Sequence, residues 1–123
     1  MTTQYRVLIV EDEASVRKII RDGLEKQGMV VDEAENGKVA LERAQQIRPS
    51  AIILDFLMPK MHGLEFFQLL RQEAWGRSIK IIILTNLPDD PRLVELQEQG
   101  LCKVLSKAQA SLDDIITTVK ESA

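Results

Sequence analysis

The sequence predicts an α/β domain: a doubly wound, five-stranded parallel sheet with five helices, in three layers. Three observations lead there. Apolar runs of strand length alternate with helix-period segments along all 123 residues. The central runs are dominated by Ile, Leu and Val, as strands covered on both faces require. No linker, repeat or low-complexity stretch interrupts the pattern, so residues 1–123 read as one domain, a length that supports a single core.

Each element follows from local chemistry. Tyr5 to Val10 reads as the first strand. Ala14 to Gln27 sets Val16, Ile19, Ile20 and Leu24 on one helical face, with Gly28 as terminator. Met29 to Glu33 is the second strand. Asn36-Gly37 opens a helix whose inward residues are Ala40, Leu41, Ala44 and Ile47, and Pro49 lies past its end. Ala51 to Leu54 is the third strand, followed by a loop carrying Pro59 and Gly63. The next helix runs to about Gln72 and buries Leu64, Phe67 and Leu70, or the neighbours of Leu70 if its phase is shifted by one residue. Ile79 to Leu84 is the fourth strand. Pro88 and Pro91 frame a short helix ending at Gly100, and Pro91 suits its first turn. Cys102 to Ser106 is a weak fifth strand. Ser111 then caps a helix with Leu112, Ile115, Ile116 and Val119 on one face and Asp113-Asp114 at its positive end. Right-handed crossovers and the order 2-1-3-4-5 place the switch point between strands 1 and 3, where such sheets bind ligands.

Composition narrows the function. Hydrophobic residues make up 45%, charged residues 28%, and the net charge is −3, so no basic footprint favours nucleic acid or an anionic membrane. The single cysteine, Cys102, forms no intrachain disulfide or cysteine zinc site. No apolar run approaches the roughly 18 residues a membrane span needs. The start, Met1 to Arg6, lacks a signal-peptide layout, and a cytoplasmic location is expected.

Charged and hydroxyl residues stand at the carboxyl ends of four strands. Glu11-Asp12 follow the first, Asp55 the third, Thr85 the fourth and Lys107 the fifth. A parallel sheet gathers these ends on one edge. Three carboxylates there would repel one another without a cation, and Mg²⁺ suits a site that must also admit phosphate oxygens. Thr85 can donate to a phosphoryl oxygen and Lys107 can neutralise it as a point charge. Singly, each residue is more simply a cap, a turn or a solvated loop group; together they point to phosphoryl chemistry.

Those segments resemble the receiver domain of two-component response regulators over essentially the whole chain. Val7 to Glu13, Ile53 to Gly63 with its Asp-x-x-Met-Pro-x-x-x-Gly loop, Ile83-Leu84-Thr85 and Leu105-Ser106-Lys107 carry the resemblance. It implies a flavodoxin-like fold and a phosphorelay in which Asp55 takes a phosphoryl group from a phosphohistidine. The donor is a sensor histidine kinase or a histidine phosphotransfer protein. Asp12, Asp55 and the backbone carbonyl of Leu57 would ligate Mg²⁺, and Glu11 would act mainly through a metal-bound water. Thr85 and Lys107 would hold the phosphoryl oxygens. The aspartyl phosphate would alter binding to a downstream effector or output domain and promote homodimers, with no direct role for nucleic acid or membrane. Such a domain is not a turnover enzyme on a separate substrate.

The chain also departs from that pattern. Val104 stands where the family carries a switching aromatic, Leu101 where alanine is common, with compensating packing beside the fifth strand expected, and Ala108 where proline often follows the lysine. Coupling from Thr85 through the fourth helix is the resulting expectation. Asn86 narrows access to the site. Leu57 and Leu87 supply no polar group to orient water, which predicts slow self-dephosphorylation. Two rivals follow: a pseudo-receiver interaction module without phosphorylation, and a phosphatase with an aspartyl-phosphate intermediate. The complete Asp12, Asp55, Thr85 and Lys107 set weighs against the first. The second needs an acid two residues after the nucleophile, where Leu57 stands. His62 reads as an exposed loop residue, Phe66, Phe67 and Trp75 as core or boundary, and the Glu95–Glu98 face as solvated.

Overall fold

The computed structural model describes residues 5–58 and 61–122, so Pro59 and Lys60 of the Asp55 loop lie outside the described residues, as do residues 1–4 and 123. Five parallel strands, β1 (Arg6–Val10), β2 (Val30–Ala34), β3 (Ala51–Asp55), β4 (Lys80–Thr85) and β5 (Lys103–Ser106), form one sheet in the expected order β2-β1-β3-β4-β5. Helices α1 (Ala14–Glu25), α2 (Gly37–Ile47), α3 (Gly63–Gln72), α4 (Pro91–Glu98) and α5 (Leu112–Glu121) cover both faces. A 3₁₀ turn at Ala74–Gly76, not anticipated from the sequence, joins α3 to β4.

Two cores result. On one face Leu8, Val10, Ile52, Leu54, Ile81 and Ile83 meet α2, α3 and α4 through Ala40, Ala44, Phe66, Phe67, Leu70 and Leu93. On the other, Val7, Ile9, Ile53, Ile82 and Leu84 meet α1 and α5 through Ile20, Leu24, Ile115, Ile116 and Val119. The period-two alternation of β1 and β3 therefore feeds both layers, and each fully buried Leu, Ile or Phe stabilises the fold by roughly 1.5–3 kcal/mol.

The helix starts match their sequence signals. Asn36 accepts from Val39 N–H at 3.0 Å, Asp90 accepts from Arg92 N–H with Pro91 in the first turn, and Ser111 forms a reciprocal capping box with Asp114. Several boundaries slide by one residue: β2 and β4 begin and end one position later than their apolar runs, because pairing with β1 and β3, not composition, sets strand ends.

Three packing expectations are corrected. Ile19 does not face inward but is 59% exposed, because Ile20 and Leu24 take the buried line of α1. Phe66, not Leu64, joins Phe67 and Leu70 on the buried face of α3; Leu64 is half-buried. Leu101 is exposed, so it supplies no compensating packing beside β5. Gly23 lets α5 close onto α1: a Cβ there would lie 3.0 Å from the Leu112 side chain.

Candidate functional site

Register brings the strand-end residues together. Val10 pairs with Leu54, Asp55 with Leu84 and Thr85 with Ser106, so the exits of β1, β3, β4 and β5 share one edge. Glu11 remains in the ladder, its N–H donating to Ala34 O at 3.1 Å. Its carboxylate is thereby held under the sheet edge, 2% exposed, while Asp12 is exposed. Glu11, Asp12 and Asp55 each offer a carboxylate oxygen, all within 4.8 Å of one another.

Lys107 completes the group. Its backbone N–H donates to Thr85 O at 2.7 Å, which aims the side chain across the edge. There Nζ lies 2.9 Å from Glu11 Oε2 and 3.3 Å from Asp55 Oδ2. Burial pushes the Glu11 carboxyl up to about 7, against the Lys107 contact that lowers it and neighbouring acids that raise it further. Burial alone would lower the Lys107 ammonium, but Glu11 and Asp55 outweigh it and hold the group above its ordinary value.

Asp55 and Thr85 are almost wholly buried, at 6% and 1% exposure, and each is oriented by the backbone two residues on. Leu57 N–H donates to Asp55 Oδ1 at 3.3 Å, and Leu87 N–H donates to Thr85 Oγ1 at 3.0 Å. Both leucine side chains are about half exposed, so an apolar rim flanks the acids. Asn86 is exposed beside them.

Several supporting residues escaped the sequence reading. Arg17 donates from Nη1 to Glu11 O at 2.6 Å and from Nε to Glu33 at 3.1 Å, tying α1 to the exit of β1. Its spacing of six residues from Glu11 carries no local signal. His62 is not an exposed loop residue: it is half-buried, caps α3 by accepting from Leu64 N–H through Nδ1, and packs edge-on against Phe56. Arg92 of α4 lies over the same Phe56 ring, 5.2 Å from its centroid. Gly63 N–H donates to Phe56 O at 2.9 Å, and a Cβ on Gly63 would lie 2.8 Å from Phe56 Cα. The chain just after Asp55 is therefore clamped on three sides.

The donor set fits a magnesium ion. All its acids are hard oxygen ligands, and oxygens opposite one another on Mg²⁺ stand about 4.2 Å apart, close to the observed spread. The Lys107 ammonium leaves the three carboxylates with residual negative charge to attract the cation.

Comparison with known proteins agrees with this geometry. The family model described as the response regulator receiver domain matches residues 7–120. The phosphate regulon transcriptional regulatory protein PhoB of Klebsiella pneumoniae is 34% identical over 83% of this chain and 44% of its own length. A protein-glutamate methylesterase/protein-glutamine glutaminase of Treponema denticola is 33% identical over 95% of this chain and 32% of its own. The chain thus spans between about a third and less than half of these curated relatives. Among solved structures, the chemotaxis response regulator CheY4 of Vibrio cholerae superposes with a TM-score of 0.88 and 29% identity, covering 98% of this chain and all of that one.

Proposed function

The chain belongs to the response regulator receiver family, and from that premise we propose that Asp55 is its phosphoacceptor. The acidic cluster of Glu11, Asp12 and Asp55 fits a phosphorylation site, and the observation that carries the assignment is Asp55 itself. Among these acids it alone terminates a central strand, beside both the Lys107 ammonium and the Thr85 strand end.

A carboxylate oxygen of Asp55 would attack phosphorus as the bond to the donor imidazole nitrogen breaks, the imidazole keeping the electron pair and taking a proton. Lys107 neutralises charge on the transferring oxygens, and Thr85 donates its hydroxyl to one of them. Leu57 N–H holds the attacking carboxylate in place. Asp12, Asp55 and the Leu57 carbonyl would hold Mg²⁺, with Glu11 behind them; bound there, the ion supplies charge neutralisation for the phosphoryl group.

The partner reading is a phosphohistidine on a kinase or phosphotransfer protein, with a downstream effector or output domain receiving the signal. The groove beside the site supports it: Val16, Ile19, Leu112 and Ile115 line a cavity of about 420 Å³ together with the polar Glu13, Asn86 and Lys107. Residues 1–123 act in this reading as one receiver unit, cytoplasmic like its donor, that promotes its own phosphoryl transfer and turns over no separate substrate. Among the described residues no helix is long and apolar enough to cross a membrane. A module without phosphoryl chemistry has no observation in its favour, and the grouping of Asp12 and Lys107 about Asp55 supports the transfer reading.

Incubation with Mg²⁺ and a small phosphodonor such as acetyl phosphate, followed by intact mass, tests the assignment. One phosphoryl group should be gained, and lost on Asp55→Ala or on chelation. A phosphorylated Asp55→Ala protein would refute it.

A further inference from the structure

The acid pair after β1 is held by its backbone. Asp12 is exposed, so neighbouring side chains do not pack it into place, and its carboxylate goes where the chain points it. The two peptide groups that flank Glu11 are both fixed. Glu11 N–H donates to Ala34 O of β2 at 3.1 Å. Glu11 O, the carbonyl of the peptide that joins Glu11 to Asp12, lies past the end of the strand, and Arg17 Nη1 donates to it at 2.6 Å. The plane from which Asp12 departs is thus set by β2 on one side and by α1 on the other.

Arg17 is itself aimed. Its side chain is 17% exposed, and Nε donates to Glu33 Oε1 at 3.1 Å. The second carboxylate oxygen, Glu33 Oε2, accepts from Arg21 Nη1 at 2.6 Å, and Arg21 Nε donates to Glu25 Oε1 at 3.2 Å. A planar guanidinium cannot turn one N–H without moving the others, so holding Nε directs Nη1 at the carbonyl. A lysine, a point charge on a flexible stem, can satisfy one acceptor but is not aimed by the other. Fastening α1 to β2 needs only Arg21 and Glu33; what Arg17 adds is the bond to Glu11 O.

We infer that Arg17 is a positioning residue for the magnesium site: through Glu11 O it holds Asp12 in place to ligate the ion, and so raises affinity for Mg²⁺. The inference rests on the reading of Asp12 and Asp55 as metal ligands given above. The sign of the effect separates positioning from charge. A cation near the carboxylates of Glu11, Asp12 and Asp55 repels Mg²⁺, so removing Arg17 would tighten binding if charge alone mattered. Removing the contact that orients a ligand weakens binding instead.

Calorimetric titration of Mg²⁺ into the whole chain tests the inference. Arg17→Met should raise the dissociation constant about tenfold, the lower end of the range for residues that orient a metal ligand. Arg17→Lys, which keeps the charge and loses the fork, should raise it about threefold, within the range one hydrogen bond implies. Both should fold, because Glu33 keeps Arg21 as a partner. Gly28→Ala, strained beyond the opposite end of α1, is the control for lost stability and should bind Mg²⁺ as the parent does. Phosphorylation of Arg17→Met by acetyl phosphate should reach the parental rate once Mg²⁺ saturates, as befits a residue that touches no reacting atom. With Asp12→Ala abolishing Mg²⁺ binding, three outcomes overturn the inference alone: unchanged or tighter binding in either arginine variant, an equal loss in Gly28→Ala, or a rate that stays low at saturating Mg²⁺. No binding by the parent, or binding that survives Asp12→Ala, overturns the metal-site reading and the inference with it.

Discussion

The Lys107 ammonium stands 2.9 Å from the Glu11 carboxylate, closer than its 3.3 Å approach to Asp55. In the free protein the lysine thus leans on the most buried acid of the cluster, the one with least access to water. That contact leaves the Asp55 carboxylate less fully masked than the sheet edge alone suggests, and ties the readiness of the nucleophile to the protonation of Glu11.

Lys107→Gln should slow phosphorylation by acetyl phosphate by about a hundredfold, the scale typical of removing one preorganised electrostatic contact at a reacting centre. Folding should survive, because Glu11 can answer the lost cation by taking up a proton. Initial rates by intact mass decide the matter; a variant as fast as the parent would mean that Lys107 is only a structural ion-pair partner.

Magnesium affinity should depend on pH through Glu11. Its folded-state pKa is raised to about 7 from the ordinary 4.5, so the metal-free fold favours the protonated acid. The sign follows: this group costs the metal-free protein stability as pH rises from about 4.5 through 7, and bound Mg²⁺ offsets the cost. Below pH 7 binding displaces a proton, and affinity should climb toward tenfold per pH unit before levelling above it. Calorimetry in buffers of different ionisation enthalpy would register that proton; equal affinity at pH 5.5 and 7.5 would contradict the coupling.

Two glycine variants should fail differently. At Gly63 a Cβ meets backbone atoms of Phe56 and Asp55 at 2.8–3.0 Å, and backbone cannot yield as a side chain can. Gly63→Ala should cost about 1–3 kcal/mol and also impair phosphorylation, because the strain falls on the residue next to Asp55. Gly28 has open space but a φ of +83°, so Gly28→Ala should cost about 1 kcal/mol and leave phosphorylation intact. Denaturant melts beside phosphorylation rates separate the two, and a Gly63→Ala protein with parental rates would show the clamp is unnecessary.

The phosphoryl group should be long-lived. Leu57 and Leu87 flank the site with exposed apolar side chains and offer an incoming water no hydrogen-bond acceptor. A lifetime of minutes or more is expected, shortened by Leu57→Asn. Decay within seconds in the unaltered protein, followed by loss of mass, would place the water-orienting group elsewhere.

Much of this molecule could be read along the chain because its signals are local. Parallel strands buried on both faces must be apolar without interruption, and the residues that end them must be polar. Asp55, Thr85 and Lys107 were therefore visible as strand ends, and Asn36, Pro91 and Ser111 as helix starts. Those inferences need only a few neighbouring residues. The exact strand limits were less legible, because β2 and β4 stop where their partners stop.

What the sequence determined by itself is the alternation of elements and the identity of the groups on the sheet edge. Tertiary structure alone decided which of those groups touch. Whether Lys107 leans on Glu11 or Asp55, whether Ile19 faces the core or the groove, and whether Arg17 finds the Glu11 carbonyl all depend on register, helix rotation and side-chain torsion. Those variables join residues such as Lys107 and Asp55 that stand 52 positions apart, and the residues between them carry no trace of the contact.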